Sequence, residues 1–191
     1  MEFRRFTILL ILIISYTSIF SQDIFTEYYD INHRKLRKPD KANYYLQIKE
    51  ENNMWFVEKF SADNVKIYEG SYSDKKLNEK TGTFTYYFES GKTRLIEIYS
   101  QNELDGTAVR YYESGQKEYE IEYKNGSISG ICVWFHENGQ MSSKEEYLGE
   151  LRTKAQFWDE NGAEMDEKDA EYPPKFQGED ASEFTVWVNT Q

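Results

Sequence analysis

Tyr87-Phe88-Glu89-Ser90-Gly91 is the first of four copies of one short pattern between residues 82 and 165. The other copies are Tyr111-Tyr112-Glu113-Ser114-Gly115, Phe135-His136-Glu137-Asn138-Gly139 and Trp158-Asp159-Glu160-Asn161-Gly162. The first three final glycines are 24 residues apart, and the fourth follows after 23. Two further series, Gly82, Gly106 and Gly130 and then Tyr99, Tyr123 and Tyr147, keep the same 24-residue step. A fixed period of this size is typical of a repeat architecture.

Each copy is predicted to be a β-hairpin. Short runs rich in aromatic and β-branched residues, such as 83–88 and 94–99, flank each glycine, and this composition around a turn is typical of paired strands. Asn-Gly alone would favour a two-residue type I′ turn. Because Ser90 and Ser114 replace Asn in two copies, we expect instead a type I turn closed by a left-handed glycine in a G1 bulge.

Side chains alternate between two faces along a strand, so the repeat predicts the character of each face. Four residues before each turn glycine the residue is aromatic in every copy: Tyr87, Tyr111, Phe135 and Trp158. One position earlier, on the opposite face, the residues are mixed: Tyr86, Arg110, Trp134 and Phe157. The 4 Trp, 16 Tyr and 12 Phe of the chain are more than a thin single sheet easily buries. We therefore expect an exposed aromatic interaction surface, with the candidate residues Tyr86, Trp134, Phe135, Phe157 and Trp158.

The repeat resembles the MORN type in its bacterial variant form. The residues that carry this resemblance are Gln116 and Lys117 after a turn, the Tyr123-Lys124-Asn125-Gly126 turn, and Gly130 at the start of the next unit. The resemblance covers about residues 54–165. It implies an all-β fold, an antiparallel β-meander of tandem MORN-like hairpins, in which neighbouring hairpins supply the core that one hairpin lacks. Bacterial proteins with such repeats are often labelled antitoxin-like.

The N-terminus is predicted to be a secretory signal peptide, residues 1–21. Arg4 and Arg5 precede an apolar run, residues 7–20, which is short for a spanning helix. Ser21 is a small residue at which cleavage could occur, and the alternative is an uncleaved anchor helix. The expected location is periplasmic or secreted.

Charge excludes some classes of partner. Without residues 1–21 the chain has 21 basic and 33 acidic residues, a net charge of −12. Nucleic acid and anionic membrane surfaces would repel such a protein. The one dense basic run, residues 33–38 before the repeats, is predicted to be a solvated loop.

The segments on either side of the repeats are less regular. Residues 22–53 are predicted to hold a capping strand at 41–49, and residues 166–191 an acidic linker and a helical tail. Asp180 is a plausible N-cap, and Ala181, Phe184 and Val188 share one helical face. The stretch Pro174-Lys175-Phe176-Gln177-Gly178, followed by Trp187 and Val188, resembles the opening of a TonB C-terminal domain, although Glu179 stands where the second glycine is usual.

No set of residues points to catalysis, a cofactor or a metal. The single cysteine, Cys132, shares its column with Phe84 and Ala108, which indicates a core position. His33 and His136 are the only histidines, and His136 occupies a column otherwise held by aromatic residues and Asp159. A glutamate recurs in every turn and serves the turn or the surface.

The sequence therefore predicts an exported, non-catalytic repeat protein that acts as a protein-interaction scaffold in the cell envelope. Two alternatives stay open. One is a TonB-family component of outer-membrane transport that acts through residues 174–191, and the other is an antitoxin-like binding protein.

Overall fold

A computed structural model describes residues 24–149 and 151–170, and these residues form one antiparallel sheet of 14 strands. The strands are β1 (Ile24–Tyr29), β2 (Lys35–Leu36), β3 (Tyr44–Glu51), β4 (Met54–Ser61), β5 (Lys66–Tyr72), β6 (Lys80–Tyr87), β7 (Thr93–Ser100), β8 (Glu103–Leu104), β9 (Gly106–Tyr111), β10 (Lys117–Lys124), β11 (Ser127–Phe135), β12 (Met141–Leu148), β13 (Leu151–Trp158) and β14 (Glu164–Met165). From β3 onward each strand pairs with the next one along the chain, except that the short β8 branches from β7, which also pairs with β9. The predicted all-β meander is confirmed.

The N-terminal flanking segment extends the sheet. The predicted capping strand is β3. On the side of β3 away from β4 it pairs with β1, and β1 in turn pairs with β2, the last strand at that end of the sheet. At the other end β14, formed by the last two residues of the predicted repeat segment, pairs with β13. Two 3-10 turns, Pro39–Lys41 and Glu167–Asp169, complete the structure. The predicted signal peptide, C-terminal helix and TonB-like tail lie outside the described residues.

The repeat glycines close the turns as expected. In the first copy the Gly91 N–H donates to the Phe88 carbonyl at 2.9 Å, and Gly91 has a φ of +80°. The register between β6 and β7 shifts by one residue beside this turn, from Tyr86↔Leu95 to Tyr87↔Thr93. This combination is a type I turn with a G1 bulge, and the same backbone hydrogen bond recurs in the other three copies.

At the opposite ends of the strands the turns are of a different kind. Two residues join β10 to β11, and both of them, Asn125 and Gly126, have positive φ. Gln101 and Asn102 do the same between β7 and β8. Positive φ at both central residues is the type I′ geometry, whose twist matches that of the strands. The turns at Gly91 and at Asn125-Gly126 therefore differ in type, and they lie at opposite ends of the strands.

Nearly all buried side chains lie on one face, which we call the core face. Phe84 and Ile121 are 0% and 1% exposed, and Cys132, at 2%, occupies the predicted core position. Tyr86 and Phe157, which lie one position before the aromatic residues Tyr87 and Trp158, are on this face. In the sheet Tyr86 pairs with Leu95 and Phe157 pairs with Ser143. The opposite face, called the outer face, carries Tyr87, Phe135 and Trp158. The face predicted to be mixed is thus the face that forms the core.

Candidate functional site

A groove of about 950 Å³ crosses the core face over the N-terminal strands β1 to β7. Its floor is formed by tyrosine and phenylalanine rings that continue the core, and residues 73–79 border it with Leu77, which packs against that core. The Asp74 carboxylate holds this loop by accepting the backbone N–H groups of Lys76, Asn78 and Glu79 at 2.7–2.9 Å. The lining is therefore provided by paired strands and one pinned loop.

Lys59 lies in the floor of this groove. It stands between Leu46 of β3 and Tyr68 of β5 in the sheet register. Its ammonium group is 4.0 Å from the ring centre of Tyr44 and 5.9 Å from that of Tyr68. Burial lowers the pKa of Lys59 to about 8, because the charged form loses water. Cation–π attraction to the two tyrosine rings offsets part of the free-energy cost of this desolvation.

Lys80 makes a second site of the same kind. Its nitrogen lies 4.4 Å from the ring centre of Tyr99 and 4.9 Å from that of Phe84, and it donates to the Tyr86 hydroxyl at 3.3 Å. Burial lowers the pKa of Lys80, while the nearby Glu97 carboxylate acts in the opposite direction. The groove thus contains two lysines whose ammonium groups lie against aromatic rings.

The tyrosines of the groove form a packed wall with neutral hydroxyls. Tyr29 and Tyr44 stack with their ring centres 5.1 Å apart and their planes 4° from parallel. Burial raises the pKa of Tyr44 to about 12 and that of Tyr68 above its ordinary value. At neutral pH these hydroxyls therefore remain protonated and can both donate and accept hydrogen bonds.

The lining of the groove is cationic, although the chain as a whole is acidic. Besides His33 it contains six basic residues and no carboxylate: Arg34, Lys35, Lys59, Lys76, Lys80 and Arg94. The basic run predicted to be a solvated loop supplies three members of this lining, and the His33 ring nitrogen lies 3.1 Å from the Tyr44 hydroxyl. Such a surface attracts anions and offers them apolar contact as well.

Charge divides the chain into two unequal halves. Residues 24–100 contain 13 basic and 12 acidic residues, whereas residues 101–170 contain 7 basic and 16 acidic ones. The excess negative charge thus lies in the regular repeats, away from the groove.

The five predicted surface residues do not form one surface. Tyr86 and Phe157 are each only 3% exposed, so the prediction that they face a partner is wrong. They belong to the face that carries the core, where large rings fill the space between strands. Trp134 is half-buried on that same face and packs edge-on against Tyr119 with ring centres 4.9 Å apart.

The other two predicted residues, Phe135 and Trp158, lie half-buried on the outer face. Their carbonyls tie neighbouring repeats together. Tyr112 donates its hydroxyl hydrogen to the Phe135 carbonyl at 2.9 Å, and a His136 ring nitrogen lies 2.9 Å from the Trp158 carbonyl. Exposed apolar side chains on the outer face stand singly along the strands, for example Phe56 at 43% and Ile131 at 39%.

Sequence reasoning missed the groove, although one signal could have revealed it. Lys59 follows Trp55 and Val57 at alternate positions of β4, in phase with residues on the core face. A lysine in that phase predicts a buried or half-buried charge, which is rare without a function or a partner.

The other side chains that could take part in chemistry do not form a site together. Within residues 24–149 and 151–170 no three His, Cys, Asp or Glu side chains are grouped so that they could hold a metal ion. Burial raises the pKa of the Cys132 thiol to about 12, which keeps it protonated and unreactive. The repeated turn glutamates are exposed. The same described residues contain no helix long and apolar enough to cross a membrane.

Comparison with known proteins identifies the repeat. Residues 104–125 and 129–148 each match the MORN repeat variant, and both stretches lie within the segment from β8 to β12. This repeat is a binding repeat and not a catalytic one, commonly involved in protein or membrane binding. No curated protein matches the chain. The groove residues lie on the N-terminal side of both matched stretches.

Proposed function

We propose that this chain, with its MORN-variant repeats, is an exported, non-catalytic scaffold that binds a protein partner in the cell envelope. The observation that carries the proposal is the groove, a concave surface with an aromatic floor and a few charged groups. Binding sites in proteins have this composition, since rings provide contact area and a few polar groups provide orientation.

The arrangement of the groove favours binding over chemistry. Lys59 and Lys80 lie on ring faces, a geometry that holds a charge in place.

Export is supported by sequence alone. The charged start followed by an apolar run resembles a secretory signal. Fractionation of the producing cells tests this directly, with an antibody against the native chain. We expect a processed form outside the cytoplasm, and a full-length form that stays in the cytoplasm would contradict export.

Site-specific photocrosslinking tests the scaffold function. Ile31 lines the groove and is 67% exposed, and Leu151, equally exposed at 67%, lies on β13 near the other end of the sheet. We would place p-benzoylphenylalanine at Ile31 or at Leu151 and irradiate the producing cells. We expect a discrete protein adduct from position 31 that the change Arg34→Glu with Lys35→Glu removes. Equal adducts from both positions, or none from position 31, would refute the assignment of the partner to the groove.

A further inference from the structure

We infer that the groove takes an extended acidic segment of the partner protein, whose carboxylates meet Lys59, Lys80 and Arg94 while its apolar side chains contact the tyrosine wall. This inference rests on the proposed scaffold function and states the chemistry of its partner. It is carried by charge complementarity and by the depth at which the cations lie.

Charge complementarity comes first. All six ionised side chains of the lining are positive, and residues 24–100 are close to neutral while residues 101–170 are strongly acidic. The groove lining thus carries more positive than negative charge in an acidic protein, although Glu27 pairs with Lys35 and Glu97 lies near Lys80. Field lines concentrate in such clefts, so an anion is drawn into the groove and away from the repeats.

The depth of the two lysines favours carboxylates as ligands. Lys59 and Lys80 are half-buried, and their nitrogens lie 4.0 Å from the Tyr44 ring centre and 4.4 Å from that of Tyr99, so the rings shield them from water. A carboxylate that reaches them would form charge-assisted hydrogen bonds in a region of low dielectric constant, where these bonds are stronger than at the surface.

The dimensions suit an extended chain. From β3 to β7 the groove crosses four strand-to-strand steps, which is about 19 Å at about 4.8 Å per step. An extended peptide advances about 3.3 Å per residue, so about six residues would fill this length. A single small anion would occupy only one of the cationic positions.

An anionic membrane fits the same cations less well. A bilayer presents a plane of negative charge to the whole molecule, including the acidic half at residues 101–170. A peptide segment contacts only the groove and avoids most of this repulsion. The protein segment is therefore the occupant that the charge distribution favours.

Fluorescence anisotropy with a labelled polyglutamate of about 20 residues tests the inference on the full chain. We expect saturable binding at 50 mM NaCl that weakens at least tenfold at 300 mM, since several ion pairs form. The variant Arg34→Glu with Lys35→Glu changes exposed residues of the groove rim and should weaken binding at least tenfold. Lys59→Glu with Arg94→Glu tests the floor, with circular dichroism as the check on folding.

The matched control reverses two charges outside the groove. Lys144→Glu with Lys154→Glu alters half-buried and exposed lysines of β12 and β13, and binding should stay within twofold of the native chain. Absence of polyglutamate binding at 50 mM NaCl would overturn the inference, as would equal losses in the rim variant and the control.

Two further results separate this inference from the proposed function. Phosphatidylglycerol vesicles that bind the chain when polyglutamate does not would assign the cations to a lipid headgroup and overturn the acidic segment. A specific adduct from Ile31 without polyglutamate binding would keep the scaffold function and reject the acidic partner. Polyglutamate binding without that adduct would keep the anion site and reject the scaffold function.

Discussion

Replacing Lys59 with methionine should stabilise the protein at neutral pH, because the charged ammonium group of this lysine is partly buried and loses hydration. Its pKa is lowered from 10.5 to about 8 by burial. At pH 7 that difference corresponds to a cost of about 3 kcal/mol for keeping the ammonium in the fold. The Lys59→Met side chain keeps a similar length and removes the charge.

Cation–π attraction opposes part of this gain. The Lys59 ammonium lies 4.0 Å from the Tyr44 ring centre, and such a contact is worth about 1–2 kcal/mol when desolvated. The net expected effect of Lys59→Met is therefore a rise of about 1–2 kcal/mol in the free energy of unfolding at pH 7. Lys154→Met, at an exposed position of the outer face, should change it by less than about 0.5 kcal/mol.

The pH dependence gives the sharper measurement. A lysine whose folded pKa is lowered is protonated in the unfolded state between about pH 8 and 10.5 but neutral in the folded state. Since the unfolded state binds more protons there, the native protein gains stability as pH rises through this window. The difference in free energy of unfolding between Lys59→Met and the native chain should accordingly decrease by about 2 kcal/mol between pH 7 and pH 10.

Guanidinium denaturation followed by circular dichroism at pH 7, 8, 9 and 10 measures this change. Native chain, Lys59→Met and Lys154→Met would be compared at each pH, so that other titrating groups cancel. A Lys59→Met protein that is less stable than the native chain at pH 7, or a stability gap that does not change with pH, would refute the reasoning. A stabilised variant that no longer binds polyglutamate would show that the lysine is kept for the ligand and not for the fold.

Three other predictions follow from the packing. A Cβ at Gly70 would lie 2.4 Å from ring atoms of Phe84, so Gly70→Ala should cost about 2 kcal/mol in chemical denaturation. Gly91→Ala, with φ of +80° but open space around it, should cost about 1 kcal/mol, and equal costs would contradict the packing argument. Tyr44 has a pKa raised to about 12, so its contribution to stability is complete below pH 10 and is lost between pH 10 and 12, because the unfolded tyrosine ionises first. Absorbance at 295 nm should accordingly show ionisation of the buried tyrosines only together with unfolding, and Tyr44→Phe should reduce the loss. Cys132, 2% exposed with a pKa raised to about 12, should react with a thiol reagent only in guanidinium, and rapid labelling of the native chain would contradict its core position.

Much of the fold could be read from the sequence because each repeat is a local unit. A hairpin is set by a turn and the strands on either side of it, all within about 20 residues, and the 24-residue step repeats that information. The left-handed glycine at Gly91 followed from the turn pattern, and the core position of Cys132 followed from the other residues of its column.

The assignment of faces needed the tertiary structure. The column with four aromatic residues is at least as apolar as the column that includes Arg110, so the composition of these two columns did not show which of them is buried. In the sheet, Phe84, Ala108 and Cys132 lie on the face of Arg110, and their burial decides the question. Tyr86 and Phe157 were for this reason misplaced on a binding surface.

The groove could not be derived from the repeat, because most of its residues come from the segment before the regular repeats. Lys59 and Lys80 are 21 residues apart, and His33 and Arg94 are 61 apart, and only the pairing of β1 through β7 brings their side chains to one surface. Local patterns determined the strands, the turns and the meander, since hydrogen-bonded hairpins depend on neighbouring residues. Packing across seven strands decided where the cations collect, since the depth and charge of a groove are properties of side chains that meet only after the sheet has formed.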